Sequence, residues 1–268
     1  MIDDFYSEKH DEGYSPKTIK EIHNLLKNSL QQAIKWEFTN RNPAVGATVP
    51  RIQDKIIQTW NYSQVKEFLR AAKLYKQEEF YTTAVFTGAR KGELLALEWK
   101  NVDLLKGRIY IKQTLAYLPK KGLVIKEPKT KMSKRYIALS PFVVEALKRQ
   151  KEKNDILHEE LGFYSINKDI VFPNQVGGFI DPNNKLREYY TITEKTALPK
   201  ITFHSLRHTH ATHLLEEGVN PKVVQERFGH NNVSVTLGIY SHVTSGIQEK
   251  AANTVEEAFL KSDCDTSC

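Results

Sequence analysis

His204-Ser205-Leu206-Arg207-His208-Thr209-His210-Ala211-Thr212-His213 sets a histidine and an arginine three residues apart at the start of a predicted helix. That spacing puts both side chains on one helical face, where they can approach one anion together. His204 and His208 also have the i, i+4 spacing of zinc ligands. No glutamate accompanies the pair in the metalloprotease manner and no cysteine cluster exists elsewhere, so the expectation is no metal, with His208, His210 and His213 as packed or surface residues. Downstream, Phe228-Gly229-His230 precedes Tyr240 by a short segment, and far upstream stands Thr87-Gly88-Ala89-Arg90. Two arginines, histidines and a phenol in this set suit one chemistry. A phosphodiester gains negative charge when attacked, and fixed cationic donors stabilise it. A phenol held in line with phosphorus beside a base can form a covalent phosphotyrosine intermediate.

Each member also has a plainer reading. Arg90 alone is a surface arginine, Glu93 an ordinary helix-surface carboxylate, and Tyr240 one of twelve tyrosines. Gly229 reads as a C-terminal helix glycine that releases the chain so that His230 points inward. Lys129 and Lys131 lie in the basic turn Pro128-Lys129-Thr130-Lys131-Met132-Ser133-Lys134-Arg135 between two predicted strands. Such a turn is ordinarily just solvated.

Around these segments the pattern is mixed. Ser15 caps a basic helix that starts at Pro16, carries Ile19, Ile22, Leu25, Leu26, Leu30, Ala33 and Ile34 at helical spacing, and is expected to end at Asn42-Pro43. Lys17, Lys20, Lys27, Lys35 and Arg41 decorate that region as a solvated face or as contacts to DNA phosphates. Residues 49–58 read as a linker interrupted by Pro50, after which Ser63 is expected to cap the next helix. A helix over Glu93 to Trp99 gives way to alternation at 108–111 and 136–139 with Leu123-Val124-Ile125 between, read as one small antiparallel sheet. Ser140-Pro141 and Asp181-Pro182 open further helices. Ile247, Ala251, Val255, Ala258 and Phe259 form a last apolar stripe that packs on its own domain or on a neighbour.

The chain has 268 residues and a net charge of +7, which suits a polyanionic partner without identifying one. No apolar run is long enough to span a bilayer, and Met1-Ile2-Asp3-Asp4-Phe5 is acidic where a secretory signal is basic, so the expected address is cytoplasmic. Cys264 and Cys268 lie in a polar tail and read as free thiols.

Taken in chain order, Thr87 to Trp99, Pro128 to Leu139, His204 to His213 and Phe228 to Val243 resemble the tyrosine recombinases of the phage integrase type, over about residues 15 to 260. The resemblance implies an α+β, mainly α fold: a partial helical core-binding domain (1–50), a linker (51–58) and a catalytic domain with a small antiparallel sheet (59–268). Compared with the family, Asp4 to Pro50 resembles only the second half of a core-binding domain, through trimming or a shortened gene. By resemblance, Arg90 and Arg207 hold the non-bridging oxygens, His204 accepts the phenol proton, His230 donates to the phosphate and Glu93 orients Arg90. Lys129, with Lys131 as alternative, protonates the leaving 5′ oxygen, and Tyr240 is the nucleophile. The implied reaction uses no cofactor and no metal. The implied partners are duplex DNA, further copies in a tetramer on DNA formed from free monomers, and an excisionase, with no membrane. A Xer-type resolvase, a relaxing topoisomerase and a catalytically silent DNA-binding fragment are the alternatives, and the phrasing from Ser15 to Pro43 sits nearer integrases of Gram-positive phages and conjugative elements.

Overall fold

The computed structural model describes residues 2–52, 57–127, 133–164 and 166–229. The chain divides into two compact units, Met1–Ile56 and Ile57–Cys268.

The first unit pairs helix α1 (Ile2–Asp11), which the sequence reading did not anticipate, with α2 (Pro16–Lys35). Buried Tyr6 on α1 packs edge-on against the ring of His23, with a 3.0 Å hydrogen bond between Tyr6 Oη and His23 Nδ1. The Ser15 hydroxyl accepts the Thr18 amide and Pro16 fills the first helical position, so α2 starts where local chemistry dictates. It stops earlier than Asn42-Pro43. Glu37 adopts a left-handed φ of 62°, and Glu37 and Phe38 amides return to the Ile34 and Ala33 carbonyls, the closure usually made by glycine. Asn42 instead ties the following loop back, donating to the Lys27 carbonyl at 2.8 Å and accepting from the Ala44 amide. Leu25, expected on the apolar stripe, is exposed.

The second unit begins with α3 (Tyr62–Leu74), capped by Asn61 rather than Ser63: Asn61 and Gln64 exchange side chain-to-amide bonds at 2.9 Å each way. Helix α4 (Glu78–Thr87) is buried on nearly every face, as a central helix must be when neighbours pack all round it. Helices α3, α6 (Pro141–Leu161) and α8 (Phe203–Glu216) lie against it. The aromatic heart is Trp60, Phe68, Phe80, Tyr81, Tyr189 and Phe203, whose rings meet mainly edge-on or tilted. Tyr189 comes from α7 (Pro182–Glu194), opened by Asp181 as its cap.

After α4, the short helix α5 (Lys91–Leu95) ends four residues before Trp99. The chain there is drawn into extended pairing with the 169–171 segment: Glu98 bridges Ile170, the Trp99 amide donates to the Asp169 carbonyl and the Val171 amide to the Leu97 carbonyl. Two sheets replace the expected single one. Strands β1 (Val102–Asp103), β2 (Arg108–Ile111) and β5 (Arg135–Ala138) form one antiparallel sheet in the order β1-β2-β5, and β3 (Thr114–Leu118) and β4 (Gly122–Lys126) form a separate ribbon. The break falls at Gln113, whose side-chain amide is held by the Ala96 carbonyl at 2.7 Å and by Glu98 at 3.1 Å. Register pairs Ile109 with Ile137 on the buried face and Ile111 with Arg135. The last described helix is α9 (Pro221–Phe228), which packs on α8 and β5. Among the described residues no helix is long and apolar enough to cross a membrane.

Gly92 is where α5 meets the ribbon. A Cβ there would fall on the Thr114 hydroxyl and 2.6 Å from the Leu115 carbonyl, a backbone atom that cannot step aside. Gly92→Ala is therefore expected to lower the unfolding free energy by about 1–3 kcal/mol. Urea denaturation of the variant against wild type measures it; unchanged stability would mean that the two elements are not in this contact.

Candidate active site

Two arginines from separate segments meet on one buried carboxylate, Glu93, and a third stands near it. Helix α4 ends at Gly88, whose φ of 62° is left-handed and whose Cα leaves no room for a side chain: an added Cβ would lie 2.5 Å from the Phe228 ring. Two residues on, Arg90 becomes the N-cap of α5, and Glu93 in the first turn accepts the Arg90 amide at 2.8 Å through Oε2. Glu93 Oε1 takes the Arg90 guanidinium at 2.8 Å. The same carboxylate, 5% exposed, receives a second guanidinium end-on: Arg135 Nη1 to Oε1 at 3.1 Å and Nη2 to Oε2 at 2.9 Å. Burial works against the charged carboxylate, but the hydrogen bonds and charge of Arg135, then those of Arg90, outweigh it and hold Glu93 below the usual carboxylate range.

Arg207 arrives from α8 and is buried. Its Nη1 donates to the Gly88 carbonyl at 2.7 Å and its Nη2 to the Phe228 carbonyl at 2.6 Å, with the guanidinium stacked over the Phe228 ring. Burial and the neighbouring Arg90 charge pull Arg207 below the ordinary arginine range, yet the group stays cationic because both carbonyls bind the charged form. Of its five N–H donors, these two bonds fix the plane and leave others for a ligand. Arg90 differs: its side chain is 40% exposed, held at one end by Glu93 and open at the other.

His204 lies one turn before Arg207 on α8 and reaches solvent. Partial desolvation of its ring, then the charges of Arg207 and Arg90, hold it below the ordinary histidine value, so the imidazole is neutral at neutral pH and can accept a proton. His208 packs edge-to-face on His204 and is pushed down to about 4 by burial, His204 and Arg207. His210 is buried, accepts a hydrogen bond at Nε2 from Arg227 Nε at 3.0 Å, and is pushed down to about 3 by burial, Arg227, His213 and Arg207. His213 stacks on Tyr62 and bonds the Trp60 carbonyl at 2.9 Å. These last three are framework.

The fold thus brings Arg90, Glu93, His204 and Arg207 together. Lys129, its alternative Lys131, His230, Tyr240 and the stripe from Ile247 to Phe259 lie outside the described residues. Lys17, Lys20, Lys27, Lys35 and Arg41 are all exposed on the first unit. Two residues escaped the sequence reading. Arg135 was legible as an arginine in register with Ile137 on the buried face of β5, a position that demands a buried partner. Arg227, which donates to the Ala138 and Phe86 carbonyls as well as to His210, gave no such signal.

A mainly helical domain with small antiparallel sheets is the catalytic fold of the tyrosine recombinases. The chain belongs to the phage integrase family, whose model matches residues 58–246. A tyrosine recombinase XerC-like protein of Caldanaerobacter subterraneus subsp. tengcongensis is 31% identical over 97% of this chain and 71% of its own length. The ICEBs1 integrase of Bacillus subtilis is 28% identical over 96% of this chain and 70% of its own. Among solved structures, the Tn1549 transposon integrase in complex with transposon right end DNA superposes with a TM-score of 0.78 at 23% identity, covering 94% of this chain and 84% of that one. A lambda integrase tetramer bound to a Holliday junction gives a TM-score of 0.61 at 19% identity, covering 88% and 63%.

Histidines held neutral in the fold link stability to pH. His208 and His210 have folded values near 4 and 3, below the ordinary 6.5, so the unfolded chain binds more protons than the folded one between those limits. Stability should therefore fall as pH drops from about 6.5 toward 4, by at most about 1.4 kcal/mol per pH unit for each buried ring, less where solvent screens the charge. Urea titrations across that window measure the slope, and a flat profile would contradict the neutral assignment.

Proposed function

We propose that this chain is a site-specific recombinase that cuts and rejoins duplex DNA through a 3′-phosphotyrosyl bond, to integrate or excise a phage or other mobile element. One observation carries the reading: Arg90 and Arg135 share a single buried carboxylate while buried Arg207 nearby is held only by carbonyls, leaving an excess of positive charge beside a neutral histidine. An anion placed there completes the charge balance, and fixed donors around a phosphate stabilise the charge that develops on attack.

In this reading Arg90 and the remaining donors of Arg207 take the two non-bridging oxygens, a task for planar, permanently charged forks. His204 accepts the proton of the Tyr240 phenol as it attacks phosphorus, and His230 donates to the phosphate. Lys129, or Lys131, protonates the departing 5′ oxygen. The phosphodiester energy stays in the tyrosyl link, and a 5′ hydroxyl from the exchanged strand reverses the step. Neither a nucleotide nor a metal is required. Exposed Lys17, Lys20, Lys27, Lys35 and Arg41 hold backbone phosphates, and the active assembly is a tetramer on DNA, with an excisionase setting direction. The relative named XerC-like favours one second reading, a resolvase of chromosome or element dimers with the same chemistry.

A suicide substrate nicked near the crossover site tests the chemistry. Wild type should form a covalent adduct with EDTA present. Tyr240→Phe should form none, and Arg207→Lys should cleave about 100- to 1,000-fold more slowly while still retarding the DNA. Retardation without an adduct in the wild type would make the chain a binder. Separately, Lys20→Ala should lower the slope of log affinity against log salt by about 1 without changing site preference, as loss of a phosphate contact does; an unaltered slope removes Lys20 from the interface.

A further inference from the structure

Arg135 is absent from the set of residues that meet the phosphate, yet it is the most fully engaged arginine near it. Its Nε donates to the Arg227 carbonyl at 2.8 Å, Nη1 to Glu93 and to the Ser133 carbonyl at 3.3 Å, and Nη2 to Glu93. Four of its five N–H groups are thereby used inside the protein, and the residue is 7% exposed. It offers no face to a substrate. What it does offer is a junction. Glu93 sets Arg90, the Arg227 carbonyl belongs to the last turn of α9, three residues before His230 in the chain, and Ser133 lies two residues before Arg135 on the approach to β5.

We propose that Arg135 is a positioning residue for DNA cleavage, fixing through one guanidinium the carboxylate that sets Arg90 and the last turn of α9. The inference rests on the recombinase reading above. The physical case is geometric. A single planar fork spans both oxygens of Glu93, and its Nε edge reaches the α9 carbonyl at the same time, which a lysine ammonium cannot do. A carboxylate bound on one side by Arg135 has its remaining lone pairs aimed at the Arg90 side chain and amide, so the orientation of Arg90 follows from that of Arg135. Displacing a phosphate-binding group by about an ångström costs on the order of 100-fold in rate even when nothing in contact with substrate is removed.

The test is single-turnover cleavage of the suicide substrate by Arg135→Lys and Arg135→Met, with DNA affinity, melting temperature and the pH profile measured on the same preparations. Arg135→Lys should cleave about 10- to 100-fold more slowly, bind DNA within about threefold of wild type, and melt as a folded protein. Arg135→Met should also move the acid limb of its cleavage profile to higher pH. Of the charges that face Glu93, which are Arg90, Arg135 and, more distantly, Arg207, it loses the one that most favours the carboxylate. Adding Glu93→Gln to Arg135→Met should slow cleavage little further, since both act on Arg90 along one route. Wild-type rates with a wild-type pH profile in both single variants overturn the inference. So does a rate loss that tracks the unfolded fraction alone with the acid limb in place. A wild-type chain that forms no adduct overturns the recombinase reading and this inference with it, whereas a wild-type adduct matched by the Arg135 variants overturns this inference only.

Discussion

The carboxylate of Glu93, sealed from water and shared by two guanidiniums, is the constraint from which the catalytic unit is organised. A buried carboxylate is costly unless its charge and lone pairs are met, and removing one partner from such a group is far more damaging than the pair is stabilising. Glu93 is met on one side by the amide and side chain of Arg90, three residues earlier, and on the other by Arg135, forty-two residues later. The first contact is local and fixes how α5 begins. The second is long-range and fixes where β5 lies. Any arrangement that satisfies both brings the end of α4, the start of α5 and the sheet to one place.

The remaining positive charges are balanced in a different way. Arg207 and Arg227 are held by carbonyls at or near helix C-termini: Gly88 and Phe86 at the end of α4, and Phe228 at the end of α9, whose Arg227 carbonyl takes Arg135. Those carbonyls lack partners within their helices and carry the negative end of the helix dipole. They orient guanidiniums without neutralising them. The result is a pocket with more cationic charge than its one carboxylate cancels, in surroundings that disfavour free charge, which is the electrostatic condition for gripping a phosphate and stabilising it as it reacts. His204 beside it is held below the ordinary histidine value first by partial burial and then by the charges of Arg207 and Arg90.

Local signals in the chain were reliable where they acted locally. Ser15-Pro16 and Asp181-Pro182 start helices as read, and the spacing of His204 and Arg207 placed both on α8. Errors arose where a different local closure competed, or where a distant contact overrode the local preference. Glu37 took the left-handed position that glycine usually fills, ending α2 early, and Asn61 displaced Ser63 because Gln64 completes a reciprocal cap. The helix expected to run to Trp99 was cut short by pairing with residues 169–171, and the expected single sheet split where Gln113 turned to Ala96 and Glu98.

Sequence alone pointed to the reaction class, because the order of arginine, histidine, arginine, histidine and tyrosine resembles that of the phage integrase family, and it determined which segments are helical wherever caps and period agree. Only the tertiary structure decided which side chains hold the others. That Glu93 is buried, that Arg135 serves it, and that Arg207 is aimed by the carbonyls of two other segments are facts about groups far apart in the chain. Their pairing follows from desolvation, which makes each buried charge find a partner, and desolvation exists only once the chain has folded.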